Sequence, residues 1–275
     1  MKRYPTTLVI AGSDSGGGAG IQADIKTCSS LGVFATTAIT GITAQNTQGV
    51  RSIQAIDATI VREQIEAVLD DFTVDSIKIG MLCNASIANT VADVLAHTSI
   101  PIILDPVMVS TSGHKLIGDD TIEVISNRLI PMAEVVTPNI AEACVLSQIV
   151  IKEPSQIVDA AHAILSRGCN AVLMKGGHLA HKDASDILVT QQQIDTFARP
   201  FIATRNTHGT GCTLSSAIAS FRARGFALHT AVEYAKEYVY KAILQGADVC
   251  AGKGHGALNH AHNPQPLTPI EYQPL

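Results

Sequence analysis

The residues of this chain with chemical potential gather in two glycine-rich segments and a few polar positions at the ends of apolar runs. The first segment, Gly12-Ser13-Asp14-Ser15-Gly16-Gly17-Gly18-Ala19-Gly20, holds five glycines in nine residues between a strand-like run and a helix-like run. Such a loop brings backbone close to a ligand, and the following helix N-terminus favours an anion. It is neither a Walker A loop, because Gly18 stands where lysine is required, nor a dinucleotide fingerprint, because Ile21 takes the place of the third glycine. The second segment, Thr207-His208-Gly209-Thr210-Gly211-Cys212-Thr213, opens a long helix. Gly209 and Gly211 free the backbone to aim several N–H groups at one point, an anion hole suited to a phosphoryl group in transfer. Cys212 falls in the first turn, where a thiol pKa is expected to drop; the alternative is one more packed cysteine.

Other polar residues end apolar runs. Asp105 precedes Pro106 and is either a loop cap or a ligand beside a metal. Asn139 and Glu142 have the spacing of a helix capping box, which is compatible with a Mg²⁺ role for Glu142 as well. Lys175, followed by two glycines, suits a phosphate oxygen or is a solvated turn lysine. Gln45 could read the edge of a heterocycle with its amide. The ten histidines form no H-E-x-x-H pattern, and G-x-S-x-G is absent.

The elements that must position these residues alternate. A buried strand is predicted at Thr7–Ala11, an extended segment at Phe34–Ala44, short apolar strands at Ser76–Ile79, Ile100–Leu104, Glu134–Thr137 and Ala171–Lys175, a more exposed strand at Val50–Ile56, and a strand pair at Asp186–Thr190 and Ile194–Phe197. Helices are predicted over Ala19–Leu31, after a Thr59 cap, over Ala85–Ala96, Asp119–Leu129, Ser155–Ser166, Gly211–Arg224 and Leu228–Ala247. Continuous apolar strands alternating with helices imply an α/β fold on a mostly parallel sheet covered on both faces. In such sheets ligands bind beyond the carboxyl ends of the strands, where these candidate residues recur.

The chain has 275 residues, 46% hydrophobic and 16% charged, with no Trp, so an aliphatic core is expected. One domain over residues 1–263 and an extended tail over 264–275, with four of the eleven prolines, is the economical division. A net charge of −5 argues against nucleic-acid or acidic-membrane partners. No apolar run approaches the roughly 20 residues needed to span a bilayer. The six cysteines form no C-x-x-C pair and read as reduced thiols of a cytoplasmic protein, most of them packed as small hydrophobes.

Eight blocks in one order resemble the hydroxymethylpyrimidine/phosphomethylpyrimidine kinases of thiamine biosynthesis, within the ribokinase-like superfamily. They are Ile10–Asp14 with Gly17–Asp24, Ala44–Thr47, Lys78–Leu82, Leu104–Met108, Thr137–Glu142, Leu173–His178 and Thr207–Leu214. The resemblance implies a three-layer α/β/α sandwich, a homodimer, and two successive phosphorylations that use ATP and Mg²⁺. These act on 4-amino-5-hydroxymethyl-2-methylpyrimidine and then on its monophosphate. It further implies that Gln45, Gly12, Met81 and Val107 hold the pyrimidine and that Gly209, Thr210 and Gly211 form the anion hole. Cys212 would be the catalytic base, Asp105 and Glu142 would lie on the Mg²⁺ side, and Lys175 and Asn139 near the ATP phosphates. Ser110, His114 and Ala257 depart from common family residues, at a lid and near the tail. A pyridoxal kinase of the same subgroup is the nearest rival, and the Ser110 position, lacking a lid cysteine, favours the pyrimidine. A non-catalytic ligand-binding regulator would be expected to lose Cys212 or its glycines.

Overall fold

A computed structural model of the chain describes residues 1–109, 116–176 and 183–271. Its strands are β1 (Lys2–Arg3), β2 (Thr6–Asp14), β3 (Phe34–Asn46), β4 (Gly49–Ala55), β5 (Ser76–Ile79), β6 (Ile102–Leu104), β7 (Val135–Val136), β8 (Ala171–Lys175), β9 (Asp183–Thr190), β10 (Ile194–Pro200) and β11 (Ile270–Glu271). Its α-helices are α1 (Gly20–Ser30), α2 (Ala58–Asp71), α3 (Ala85–Leu95), α4 (Asp119–Val124), α5 (Ile140–Ser147), α6 (Ser155–Leu165), α7 (Thr210–Ala223) and α8 (Leu228–Gly246).

Nine strands form one sheet in the order β10-β9-β8-β7-β6-β5-β2-β3-β4. The central run from β3 to β8 is parallel, and β4, β9 and β10 add antiparallel edges. Alternation along each strand sends side chains to opposite faces. Leu8, Ile10, Ile77, Ile79, Leu104 and Met174 pack with α2, α3, α5 and α6 on one side. Ile103, Val135 and Leu173 pack with α7 and α8 on the other, where Val9 and Ala11 meet Ile21 of α1. The result is the expected α/β/α sandwich.

Several local expectations are corrected. Asp57, not Thr59, caps α2, its carboxylate accepting from the Thr59 amide at 2.8 Å. The sixth strand starts at Ile102, after Pro101, and the seventh shrinks to Val135–Val136. The predicted helix over Asp119–Leu129 is α-helical only to Val124 and widens into a π turn over Ile125–Leu129. The short helix α5 stands on the Asn139–Glu142 capping box. Of the six free cysteines, Cys28 and Cys169 are buried, Cys83, Cys144 and Cys212 are half-buried, and Cys250 is exposed. The last described residues are extended but pinned, by the Gln265 amide on the Ser30 carbonyl at 2.8 Å and by pairing of β11 with β1.

Candidate active site

The loop after β2 closes on an anion of its own. Asp14, 3% exposed, accepts from the amides of Gly16 (2.8 Å), Gly18 (3.1 Å) and Ala19 (2.9 Å). His208 Nε2 approaches the same carboxylate at 2.9 Å. Burial opposes the Asp14 charge, but the bonds from His208, Ala19 and Gly16 outweigh it and hold the carboxyl below the usual carboxylate range. The amides of Gly16, Gly18 and Ala19 therefore organise the turn around Asp14, a role that glycine content alone does not show.

The second glycine segment docks on the first. Gly209, the N-cap of α7, has φ of 84°, and any Cβ there would run into the Gly18 carbonyl oxygen. Thr210 secures the turn, its hydroxyl donating to the Thr207 carbonyl at 2.8 Å. The first amides of α7 have no carbonyl one turn earlier within the helix, as at any helix start, and the Thr210 amide turns back to the Thr207 carbonyl at 3.3 Å. A Cβ on Gly211 would lie 3.2 Å from Lys175 Nζ and 3.6 Å from Asp105 Oδ2, so the start of α7 faces a charged cluster.

In that cluster Lys175 Nζ donates to Asp105 Oδ1 at 2.8 Å and stands 3.9 Å from Glu142 Oε2. Asp105 also receives the hydroxyls of Thr137 (3.4 Å) and Ser215 (3.3 Å). Asn139 and Glu142 form the capping box, with each side chain accepting from the other's amide at 2.9 Å. Burial pushes the Glu142 carboxyl up to about 7, with Lys175 pulling it down and Asp105 adding to the rise. Burial works against the Lys175 ammonium, but Asp105 and Glu142 more than offset it and raise its pKa. Among the described residues no group of three His, Cys, Asp or Glu side chains could hold a metal by itself.

Cys212 lies in the first turn of α7, as expected, but its thiol is the reverse of activated. Burial pushes it up to about 11, assisted by Asp24 and Asp105 and opposed by Lys78 and the Gly20 amide. Desolvation here exceeds the pull of Lys78 and the Gly20 amide. One turn further along α7, Ser216 Oγ donates to Asp24 Oδ1 at 2.6 Å, and Asp24 Oδ2 binds Lys78 Nζ at 2.8 Å. Both charged side chains are fully buried.

Of the residues assigned to a substrate pocket, Met81 packs its methyl against Gly12, where any Cβ would collide with it. Val107 is half-buried, its amide on the Asp105 carbonyl at 2.8 Å. Gln45, at the end of β3, holds its backbone to Ser15 and turns its amide toward Thr43 and His208. Two clefts of about 660 Å³ and 370 Å³ lie elsewhere, one near Cys169 and His229, the other near Tyr4 and Phe72. Neither contains a predicted site residue. Ser110–His114 and the Gly177-His178 pair fall outside the described residues. Ala257, by contrast, bridges to His208 and packs against Gly18.

Motif and spacing assign no role to Lys78, Asp24, Ser215, Thr137 or the Asp14–His208 pair. A lysine inside the wholly buried Ser76–Ile79 strand was the available signal, since a buried ammonium demands a partner. Nothing local marks the others.

Known proteins resemble this chain in sequence and in fold. The family model described as phosphomethylpyrimidine kinase matches residues 14–259. A hydroxymethylpyrimidine/phosphomethylpyrimidine kinase of Rhizobium meliloti is 44% identical over 256 residues, covering 93% of this chain and 96% of that protein. The structure resembles the phosphomethylpyrimidine kinase of Clostridium difficile with a TM-score of 0.77 at 40% identity, over 86% of this chain and 99% of that one. It also resembles an ADP complex of Bacillus subtilis pyridoxal kinase, with a TM-score of 0.85 at 32% identity, over 94% and 97% of the two chains.

Proposed function

Because the chain belongs to the phosphomethylpyrimidine kinase family, we propose that it transfers the γ-phosphoryl group of ATP first to the 5-hydroxymethyl group of 4-amino-5-hydroxymethyl-2-methylpyrimidine and then to the monophosphate so formed, yielding the diphosphate used in thiamine biosynthesis. The observation that carries this reading is the position of Gly211, where the anion hole of α7 meets Lys175 and Asp105.

In this reading Gln45 holds the ring, with Gly12, Met81 and Val107 around it. The γ-phosphoryl group sits over the amides of Gly209, Thr210 and Gly211, and Lys175 faces its oxygens with Asn139 alongside. The substrate oxygen attacks phosphorus while the bond to the bridging oxygen of the leaving ADP breaks. The hydroxyl proton leaves toward Cys212, which can accept it only as the thiolate. The donor set suits Mg²⁺, which takes one or two carboxylates and completes its shell with phosphate oxygens and water. Asp105 and Glu142 would hold that ion, which neutralises charge on the transferring phosphate. The second phosphorylation starts from a phosphate oxygen that is already largely ionised, so it needs the base less.

The proposed setting is a cytoplasmic homodimer, supported by the family resemblance. No described helix is long and apolar enough to cross a membrane. A coupled ATP-consumption assay with the hydroxymethylpyrimidine, its monophosphate and pyridoxal in parallel tests the reading. Turnover of both pyrimidines in excess of pyridoxal is expected; turnover of pyridoxal alone, or of none, overturns it.

A further inference from the structure

The Gln45 amide has two polar neighbours, and each dictates which way it points. Thr43 Oγ1 lies 3.1 Å from Gln45 Oε1 and 2.9 Å from the Ser13 carbonyl oxygen. A hydroxyl has one proton, and a backbone carbonyl can only accept. With that proton on the nearer Ser13 oxygen, the Thr43 hydroxyl keeps a lone pair that only an N–H of Gln45 can use. On the other side, His208 Nε2 lies 2.9 Å from Asp14 Oδ2 and 3.4 Å from Gln45 Nε2. Asp14 takes three backbone N–H groups as well and stays ionised, so it accepts only and His208 Nε2 must carry a proton. A protonated Nε2 cannot accept from the amide nitrogen; it can be shared with an amide oxygen. Both neighbours thus require the amide turned by half a rotation about its last carbon–carbon bond, with the same two contacts kept.

We infer that His208, held by Asp14, is a positioning residue for specificity: it fixes the Gln45 carbonyl toward His208 and the Gln45 NH₂ toward Thr43, so that the site accepts a heterocycle presenting an exocyclic amino donor next to a ring-nitrogen acceptor in that order. The inference rests on the kinase reading above and deepens it. The 4-amino group and adjacent ring nitrogen of the pyrimidine form such an edge, and an amide meets it with two antiparallel hydrogen bonds. In a pyridoxal ring the hydroxyl and the ring nitrogen are separated by a methyl-bearing carbon, so one amide cannot pair with both in this way. The orientation is set by groups 31 residues (Asp14) and 163 residues (His208) away from Gln45 in sequence.

A double-mutant cycle tests this. His208→Leu should raise KM for the aminopyrimidine by about tenfold or more, the effect of one mispaired buried hydrogen bond, and leave KM for ATP within about twofold. Gln45→Leu should do the same, and adding His208→Leu to Gln45→Leu should change KM little further. His208→Gln, which keeps an N–H at the reach of Nε2, should return KM to near the parent value. Should His208→Leu not fold, His208→Asn, whose amide falls short of that position, replaces it in the cycle. With 5-hydroxymethyl-2-methylpyrimidine, which lacks the amino group, the His208 variants should differ little from the parent. Additive effects in the cycle, or equal rises in both KM values, overturn the inference while parent turnover of the aminopyrimidine leaves the kinase reading standing. Absence of that turnover overturns both.

Discussion

Asp24 of α1 and Lys78 of β5 are joined at 2.8 Å with neither side chain reaching solvent, one helical turn below Cys212 on the α7 face. Isolated charges of this kind are costly to bury, and here each is the other's compensation, completed by the Ser216 hydroxyl. The pair stands between the sheet and the two helices whose N-termini, at Gly20 and Gly209, bracket the thiol.

Removing one partner should therefore unsettle the layer contact. Lys78→Met is expected to cost about 3–5 kcal/mol of stability, because it strands the Asp24 carboxylate in the core. Adding Asp24→Leu should recover much of that loss. Urea unfolding of the two variants and the parent measures both values, and a single variant as stable as the parent contradicts the account.

Cys212 should reveal itself in a pH profile. Its thiol is held at about 11, so the thiolate is a minor species at neutral pH and grows tenfold per pH unit below that value. The first phosphorylation should accelerate as pH rises from 7 to 9, and the second should not. Cys212→Ala should slow the first step by about 10²–10⁴-fold and flatten its profile, with less effect on the second. Near-normal hydroxymethylpyrimidine turnover by this variant would reduce the cysteine to packing.

Glu142 titrates near neutrality. With its carboxyl pushed up to about 7, the group is mostly neutral at pH 6 and mostly ionised at pH 8. A cation competes with that proton, so the Mg²⁺ concentration needed for half-maximal rate should fall over this interval. Glu142→Gln keeps the helix cap, should raise the Mg²⁺ requirement, and should remove its pH dependence. Unchanged Mg²⁺ titrations would leave Glu142 with the capping role alone.

Gly209→Ala tests the anion hole without altering a side-chain function. At φ of 84°, with the Gly18 carbonyl in the path of a Cβ, the N-cap must shift and carry the α7 amides with it. A backbone displacement there should cost about 10²-fold or more in turnover of both substrates, as loss of an oxyanion-type donor does. Steady-state rates with each pyrimidine decide this; a parent-like Gly209→Ala enzyme excludes the assignment.

The fold and the outline of the site were legible because both rest on short-range pattern. Strand and helix alternate with periods of two and 3.6 residues, which any window of sequence displays. The Asn139–Glu142 capping box is complete within three residues, and the amides of α7 follow from a helix starting at glycines. What local pattern could not supply is burial and partnership across the sandwich. Lys175 meets Asp105 across 70 residues, Lys78 meets Asp24 across 54, and His208 meets Asp14 across 194. Those encounters exist only once the parallel strands align and α1 and α7 pack against the sheet. The same packing decided the state of Cys212: its place in a helix turn is written in the chain, but the desolvation that raises its pKa comes from the layers that close around it.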